Sequence, residues 1–197
     1  RVGEWLPTKL GAVSVGHDDV YHTAWFGGGG YGDPLEREPS AVAWDVREGY
    51  VSAEEARTAY GVVLADEDAD VEATRLLRER FRGERLGRGP MPEPPGAVLP
   101  EDGHWFDENL VMTAEGAVAC GRCSHVLDES GRSYKAGTTM LQRTLEEVGR
   151  VWMPPSHYVD DEVALRQYVC PGCGTLLENE VSLTALEPVD DKRLALQ

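Results

Sequence analysis

Four cysteines set as two C-x-x-C pairs constrain this 197-residue chain more than any other feature of it. Cys120-Gly121-Arg122-Cys123 and Cys170-Pro171-Gly172-Cys173 flank residues 124–169, and no cysteine is left over. A C-x-x-C pair sets two thiolates on one tight turn, and a second pair completes a tetrahedron around a single ion. Zinc accepts four thiolates at about 2.3 Å with no redox chemistry and no open position, which makes such a site structural. Gly121 and Gly172 lie inside the turns and Gly174 follows the second one, where backbone N–H groups bend toward sulfur. The doubly negative charge of a four-thiolate zinc site requires such donors.

Three other arrangements use the same residues. Two disulfides suit a secreted protein, and this chain is acidic and opens on Arg1-Val2-Gly3-Glu4-Trp5 with no signal-peptide pattern. A thioredoxin-like redox pair needs one C-x-x-C in a βαβ context that the sequence does not display. An iron–sulfur cluster also takes four cysteines, but the paired-turn spacing favours zinc. His125 and His157 read as ordinary surface or core residues, because four thiolates already fill the site.

Charge narrows the partners. Thirty-five acids against 19 bases give a net charge of −16, and lysine occurs only at positions 9, 135 and 192. Nucleic-acid binding normally needs a basic face, and no Lys/Arg cluster builds one here. No apolar run approaches the roughly 20 residues of a membrane helix. The chain reads as cytoplasmic, with protein as its partner rather than nucleic acid or membrane. The missing initial Met reads as a processed chain or part of a longer one.

Along the chain, Val20, His22, Ala24 and Phe26 alternate with Tyr21, Thr23 and Trp25 as a strand, and Gly27-Gly28-Gly29-Gly30 breaks it. Pro39-Ser40 opens a helix with Val42 and Val46 on one face and Gly49 as its stop. Ser52 and Glu55 form a capping box for a second helix ending near Tyr60-Gly61. A third helix, about 70–82, carries Ala73, Leu77 and Phe81 on one stripe. Residues 83–103 hold five prolines and five glycines and read as an extended linker. Beyond it, Thr138 or Thr139 caps a helix with Leu141, Leu145 and Val148 on one face, stopped by Gly149. Val163, Leu165, Gln167 and Val169 alternate as a strand into Cys170, and Val181–Thr184 forms another. The expected class is α+β: residues 1–82 as a small β-rich segment with short helices, a linker at 83–103, a zinc-ribbon-like module with a helical insertion at 104–188, and a tail at 189–197.

Two resemblances then enter. The string Gly27-Gly-Gly-Gly-Tyr-Gly-Asp-Pro-Leu-Glu-Arg-Glu-Pro39, Asp45-Val-Arg-Glu-Gly-Tyr-Val-Ser52 and Ala59-Tyr-Gly-Val-Val-Leu64 resembles the C-terminal end of the hydantoinase B/5-oxoprolinase family. That family includes subunits of the acetone and acetophenone carboxylases. Cys120-x-x-Cys123, Tyr134-Lys135 and Tyr168-Val-Cys-Pro-Gly-Cys-Gly-Thr-Leu-Leu-Glu-Asn-Glu-Val181 resemble the small zinc-binding gamma-type subunit of the same carboxylases. Together the resemblances imply an accessory, zinc-binding subunit of an ATP-dependent carboxylase or hydantoinase complex, supporting large hydantoinase-A-like and hydantoinase-B-like subunits in a hetero-oligomer. ATP and a further divalent metal are then expected on those partners, not on this chain. The chain is too short for a whole hydantoinase-B protein, so no catalytic residue is assigned. The alternative is a stand-alone zinc-ribbon interaction module.

Two weaker sites complete the reading. Backbone N–H groups of Gly27, Gly28, Gly29 and Gly30 offer an anion cradle, although a close-packing turn explains the same residues. His17, Asp18, Asp19 and His22 offer metal ligands, although a solvated loop accounts for them equally.

Overall fold

The structure, a computed structural model, describes residues 6, 11–21, 30–96, 99–130, 133–148 and 154–190. The chain falls into two units, residues 1–30 and residues 31–197. In the first, the described residues hold a turn in which Asp19 Oδ2 accepts from the Gly16 N–H at 2.7 Å. Most of the strand expected around 20–26 lies outside the described residues; Val20 and Tyr21 are exposed, in no regular element.

The second unit opens on three helices that start where capping chemistry places them. Helix α1 (Pro39–Arg47) has Pro39 in its first turn, where the missing N–H costs nothing. It stops at Gly49, whose φ of +77° few other residues tolerate. Helix α2 (Ala53–Thr58) carries the full capping box: Ser52 Oγ accepts from the Glu55 N–H at 3.1 Å and Glu55 Oε2 from the Ser52 N–H at 2.9 Å. A two-stranded hairpin, β1 (Leu64–Ala65) and β2 (Asp68–Ala69), leads to helix α3 (Val71–Arg85), capped by Asp70 on the Ala73 N–H. Val42, Ala56 and Val62 form the core of this part.

The buried side of α3 is Thr74, Leu77, Arg78, Arg82 and Gly83, while Ala73 and Phe81 are only half-buried. The expected apolar stripe is rotated because two arginines turn inward. Arg78 donates to the Tyr60 and Arg37 carbonyls at 3.1 and 2.6 Å, satisfying oxygens that would otherwise be orphaned. The stretch after α3 turns back on the helix. The Met91 N–H donates to the Glu79 carbonyl at 2.8 Å, and a Cβ on Gly83 would sit 2.1 Å from the Gly89 oxygen.

Two antiparallel sheets follow. The first is a meander of β3 (His104–Trp105), β4 (Leu110–Met112), β5 (Val118–Cys120) and β6 (Val126–Asp128). The second is β7 (Thr139–Arg143), β8 (Val163–Val169) and β9 (Leu176–Leu183). The strands expected at 163–169 and 181–184 are present. The helix expected from Thr138 or Thr139 is not: residues 139–143 pair with β8, Thr139 opposite Val169 and Arg143 opposite Leu165. Without β7, β8 would present an open edge. Helix survives only as α4 (Leu145–Val148), whose Glu147 carboxylate reaches back to the Thr144 N–H at 3.0 Å. The architecture is α+β, and no helix among the described residues is long and apolar enough to cross a membrane.

A buried ionic group fastens the chain after β9. Glu180, on β9, accepts from Lys135 Nζ at 2.8 Å, Arg166 Nη1 at 3.1 Å, the Tyr168 hydroxyl at 3.2 Å and the Val189 N–H at 3.1 Å. Lys135 also donates to the Val189 carbonyl and lies over the Tyr168 ring, 4.7 Å from its centroid. Arg166 Nη2 donates to the carbonyls of Leu183, Thr184 and Leu186.

Candidate metal centre

Each cysteine pair is the loop of an antiparallel strand pair. Cys120 ends β5 and the chain returns as β6; Cys170 follows β8 and the chain returns as β9. The two loops are built alike, each position in the second standing 50 residues after its counterpart (120 to 170, 124 to 174, 125 to 175). In the first, the Cys120 N–H donates to the His125 carbonyl and the Ser124 N–H to the Cys120 carbonyl. In the second, the Cys170 N–H donates to the Thr175 carbonyl and the Gly174 N–H to the Cys170 carbonyl. Ser124 and Gly174 hold the same left-handed backbone, φ +59° and +76°. Each strand pair also shifts register just before its first cysteine, at Val118/Ala119 and at Tyr168/Val169. A serine where the sister loop has glycine hides this repeat in the sequence.

The loops face each other closely. A Cβ on Gly172 would lie 2.9 Å from His125 Cβ and 3.2 Å from Cys123 Sγ, so only glycine permits this approach. Cys120 Sγ is 3.8 Å from Cys173 Sγ, and Cys123 Sγ is 3.7 Å from Cys170 Sγ. All four sulfurs lie within 4.8 Å of one another, and all four cysteines are free thiols. A tetrahedron with metal–sulfur distances of about 2.3 Å has edges of about 3.8 Å, so the donor set fits a four-thiolate ion. Leu110, Val118, Leu127, Tyr134 and Leu177 pack with Cys120, Cys170 and Cys173 as the core of this part, so the site is the centre of its own hydrophobic cluster.

Four thiols so close share their protons unevenly. Contact with Cys123 pushes the Cys120 thiol up and contact with Cys120 pushes Cys170 up, while contacts with Cys120 hold Cys123 and Cys173 down. An ion that replaces the protons removes that conflict.

The turn Asp33–Glu36 closes over both loops. Asp33, its side chain fully buried, accepts from Arg85 Nη1 and Nη2 at 2.5 and 2.9 Å, from the Leu35 N–H at 3.0 Å and from the Leu176 N–H at 2.8 Å. Burial alone would raise its pKa; the Arg85 guanidinium and the two N–H groups outweigh this and hold it below the usual range. Glu36 binds Arg122 Nη2, within the first loop, at 2.5 Å, and the Thr175 hydroxyl, just after the second, at 3.4 Å. Its pKa is raised by burial against the opposing pull of Arg122. Thr175 in turn touches Cys173 Sγ through its hydroxyl at 3.2 Å. The motif Asp33-Pro34-Leu35-Glu36-Arg37 was visible in the sequence, but nothing there named its partners.

The other sequence candidates lie elsewhere. Gly27, Gly28, Gly29 and His22 are outside the described residues, and Gly30 has φ +80° with open space around it. His17, Asp18 and Asp19 are exposed. His125 is exposed and contributes its backbone carbonyl, while exposed His157 tilts against Tyr158 at 6.5 Å. Among the described residues, the His/Cys/Asp/Glu group able to hold a metal is the four cysteines. An open cavity of about 150 Å³ between Glu36, Glu93, Pro94, Gly96 and Arg122 is small beside the roughly 300–1,000 Å³ of ordinary ligand pockets.

These features define an α+β protein whose four-cysteine group could bind a metal ion. Comparison with known proteins narrows the class: residues 107–196, which include both cysteine loops, match the family model of the acetone carboxylase gamma subunit. The chain is also 49% identical over 75 residues to a putative D-/L-hydantoinase protein of the B type from a Pseudomonas species, covering 38% of this chain and 13% of that protein. It is 43% identical over 75 residues to the acetone carboxylase alpha subunit of Xanthobacter autotrophicus, covering 36% and 10%. Over 38 residues it is 60% identical to the beta subunit of the caprolactamase of Pseudomonas jessenii, covering 19% and 6%. The chain thus spans 13% or less of the length of these relatives. Both resemblances read from the sequence, to the gamma-type subunit and to hydantoinase-B-type proteins, hold.

Proposed function

We propose that this chain is a zinc-binding accessory part of an ATP-dependent carboxylase or hydantoinase complex, acting in assembly and support of large catalytic subunits. The observation that carries the metal half of the reading is the four sulfurs, buried or nearly so, at tetrahedral spacing on two matched loops. Zinc suits the all-sulfur donor set and the zinc-ribbon-like placement of the loops, and bound there it supplies folding energy rather than chemistry. Cys120, Cys123, Cys170 and Cys173 hold it. The match to a carboxylase gamma-type model, together with similarity to parts of larger enzymes, supports the assembly half. Partners of hydantoinase-A and hydantoinase-B type are the large subunits this reading expects, with ATP chemistry on them.

Cys170→Ser tests the metal assignment. The wild-type chain is expected to hold one zinc per chain by elemental analysis, and the variant to lose it together with cooperative melting of residues 104–188. A variant that kept its zinc and its melting curve would refute the assignment. Affinity purification of the tagged chain from its native host tests the assembly role: co-elution with two large subunits supports it, and elution as a free monomer overturns it in favour of a stand-alone interaction module.

A further inference from the structure

The two cysteine loops are far apart in the chain, and each is gripped from outside by the same short segment. Glu36 reaches Arg122 in the first loop and Thr175 behind the second. Asp33 reaches Leu176 behind the second loop and Arg85 on α3, while Arg85 donates onward to the Gly174 carbonyl at 2.8 Å. Arg88 adds a bond to the Pro171 carbonyl at 2.9 Å. The backbone of α3 itself abuts the second loop, since a Cβ on Gly174 would lie 2.8 Å from the Arg82 oxygen. Arg82 is one of the largest fully buried side chains, and its Nε and Nη2 find no acceptor among the described residues.

These bonds set the distance between the loops. Four sulfurs bind one ion tightly only if the loops already stand at the right spacing, because ordering them costs free energy that subtracts from affinity. Glu36 holds one loop by charge and the other by a hydroxyl, so it fixes their separation directly. Asp33, with no exposed oxygen, fixes the segment that carries Glu36.

We propose that Asp33 and Glu36 are positioning residues of the four-cysteine centre, so that metal binding and the docking of the Asp33–Glu36 turn are thermodynamically linked. The proposal rests on the reading above that the cysteines bind zinc. Linkage is reciprocal: whatever the docked turn adds to metal affinity, the metal adds to docking. The segment that resembles a hydantoinase-B tail and the segment that matches a gamma subunit are then coupled through the ion.

The test uses the full chain and zinc itself. Zinc affinity is measured by competition with a chromophoric chelator for wild type, Asp33→Asn, Glu36→Gln and Glu180→Gln, the last removing a buried acid with no bond to either loop. Loss of about tenfold or more is expected for Asp33→Asn and Glu36→Gln, as outer-residue changes at metal sites typically give, with less than twofold for Glu180→Gln. The cobalt-substituted proteins should keep the absorption bands of a four-thiolate site in all cases. In wild type, hydrogen exchange at the Leu35, Glu36 and Leu176 amides should be slower with zinc than without. Affinities within twofold of wild type for both turn variants, equal losses in the Glu180 control, or exchange indifferent to zinc would each overturn the linkage while leaving the metal assignment standing. A wild-type chain that binds no zinc would remove both.

Discussion

Glu180 offers the sharpest test of how the C-terminal part is held. Its carboxylate is the shared acceptor of Lys135, Arg166, Tyr168 and the Val189 N–H. The side chains of Lys135, Arg166 and Glu180 are only 4%, 5% and 10% exposed. Glu180→Gln keeps the shape but takes away the acid both cations share. Removing one partner from a buried ion pair costs about 3–5 kcal/mol, because the remaining charge stays desolvated. For a chain of this size that corresponds to a melting shift on the order of 10 °C. The assay is urea unfolding followed by circular dichroism, with zinc in fixed excess for both proteins. The pH dependence gives an independent check. Burial would raise the Glu180 pKa, but Lys135, the Val189 N–H and Arg166 outweigh it and hold the group below its ordinary value. A folded pKa below the unfolded one contributes stability that is present above about pH 4.3 and is lost as pH falls through the folded value. The gap between wild type and Glu180→Gln should therefore be full at pH 7 and close on acidification below about pH 4. A gap under about 1 kcal/mol at pH 7, or one that widens in acid, would refute the reasoning.

Two further substitutions probe local geometry. Gly174→Ala places a Cβ at φ +76°, 2.8 Å from the Arg82 oxygen; it should cost at least about 1–2 kcal/mol, whereas Ser124→Ala at the sister position should stay within about 0.5 kcal/mol. Equal melting temperatures for the two zinc-loaded variants would contradict the close approach of α3 to the second loop. Ser52→Ala removes the cap of α2 and should lower stability by about 1 kcal/mol in urea melts, an expectation that an unchanged midpoint would defeat.

What the sequence made legible was local. Cysteine spacing reports ligand geometry directly, and Pro39, Ser52 with Glu55, and Asp70 mark helix starts through atoms within four residues. The misread element was Thr139–Arg143, where apolar residues at 141, 145 and 148 fit a helical period. Its strand form depends on β8, whose pairing positions lie more than 20 residues on. Asp33 and Glu36 were invisible as site residues for the same reason: Arg85 is 52 residues from Asp33, and Leu176 is 143. The inward turn of Arg78 reflects carbonyls of Tyr60 and Arg37, which no periodicity in α3 encodes.

An ion at the cysteine centre would also be a covalent-chain closure. The sulfur pairs that touch across it are 47 and 53 residues apart, so a bound ion ties off a ring containing β6, β7 and β8 while leaving β9 outside. By the chain-entropy relation used for cross-links, closing a ring of about 50 residues withholds about 4 kcal/mol of freedom from the unfolded chain. Much of what the metal contributes would then be felt in the disordered chain, through conformations it forbids, rather than in any contact of the folded one.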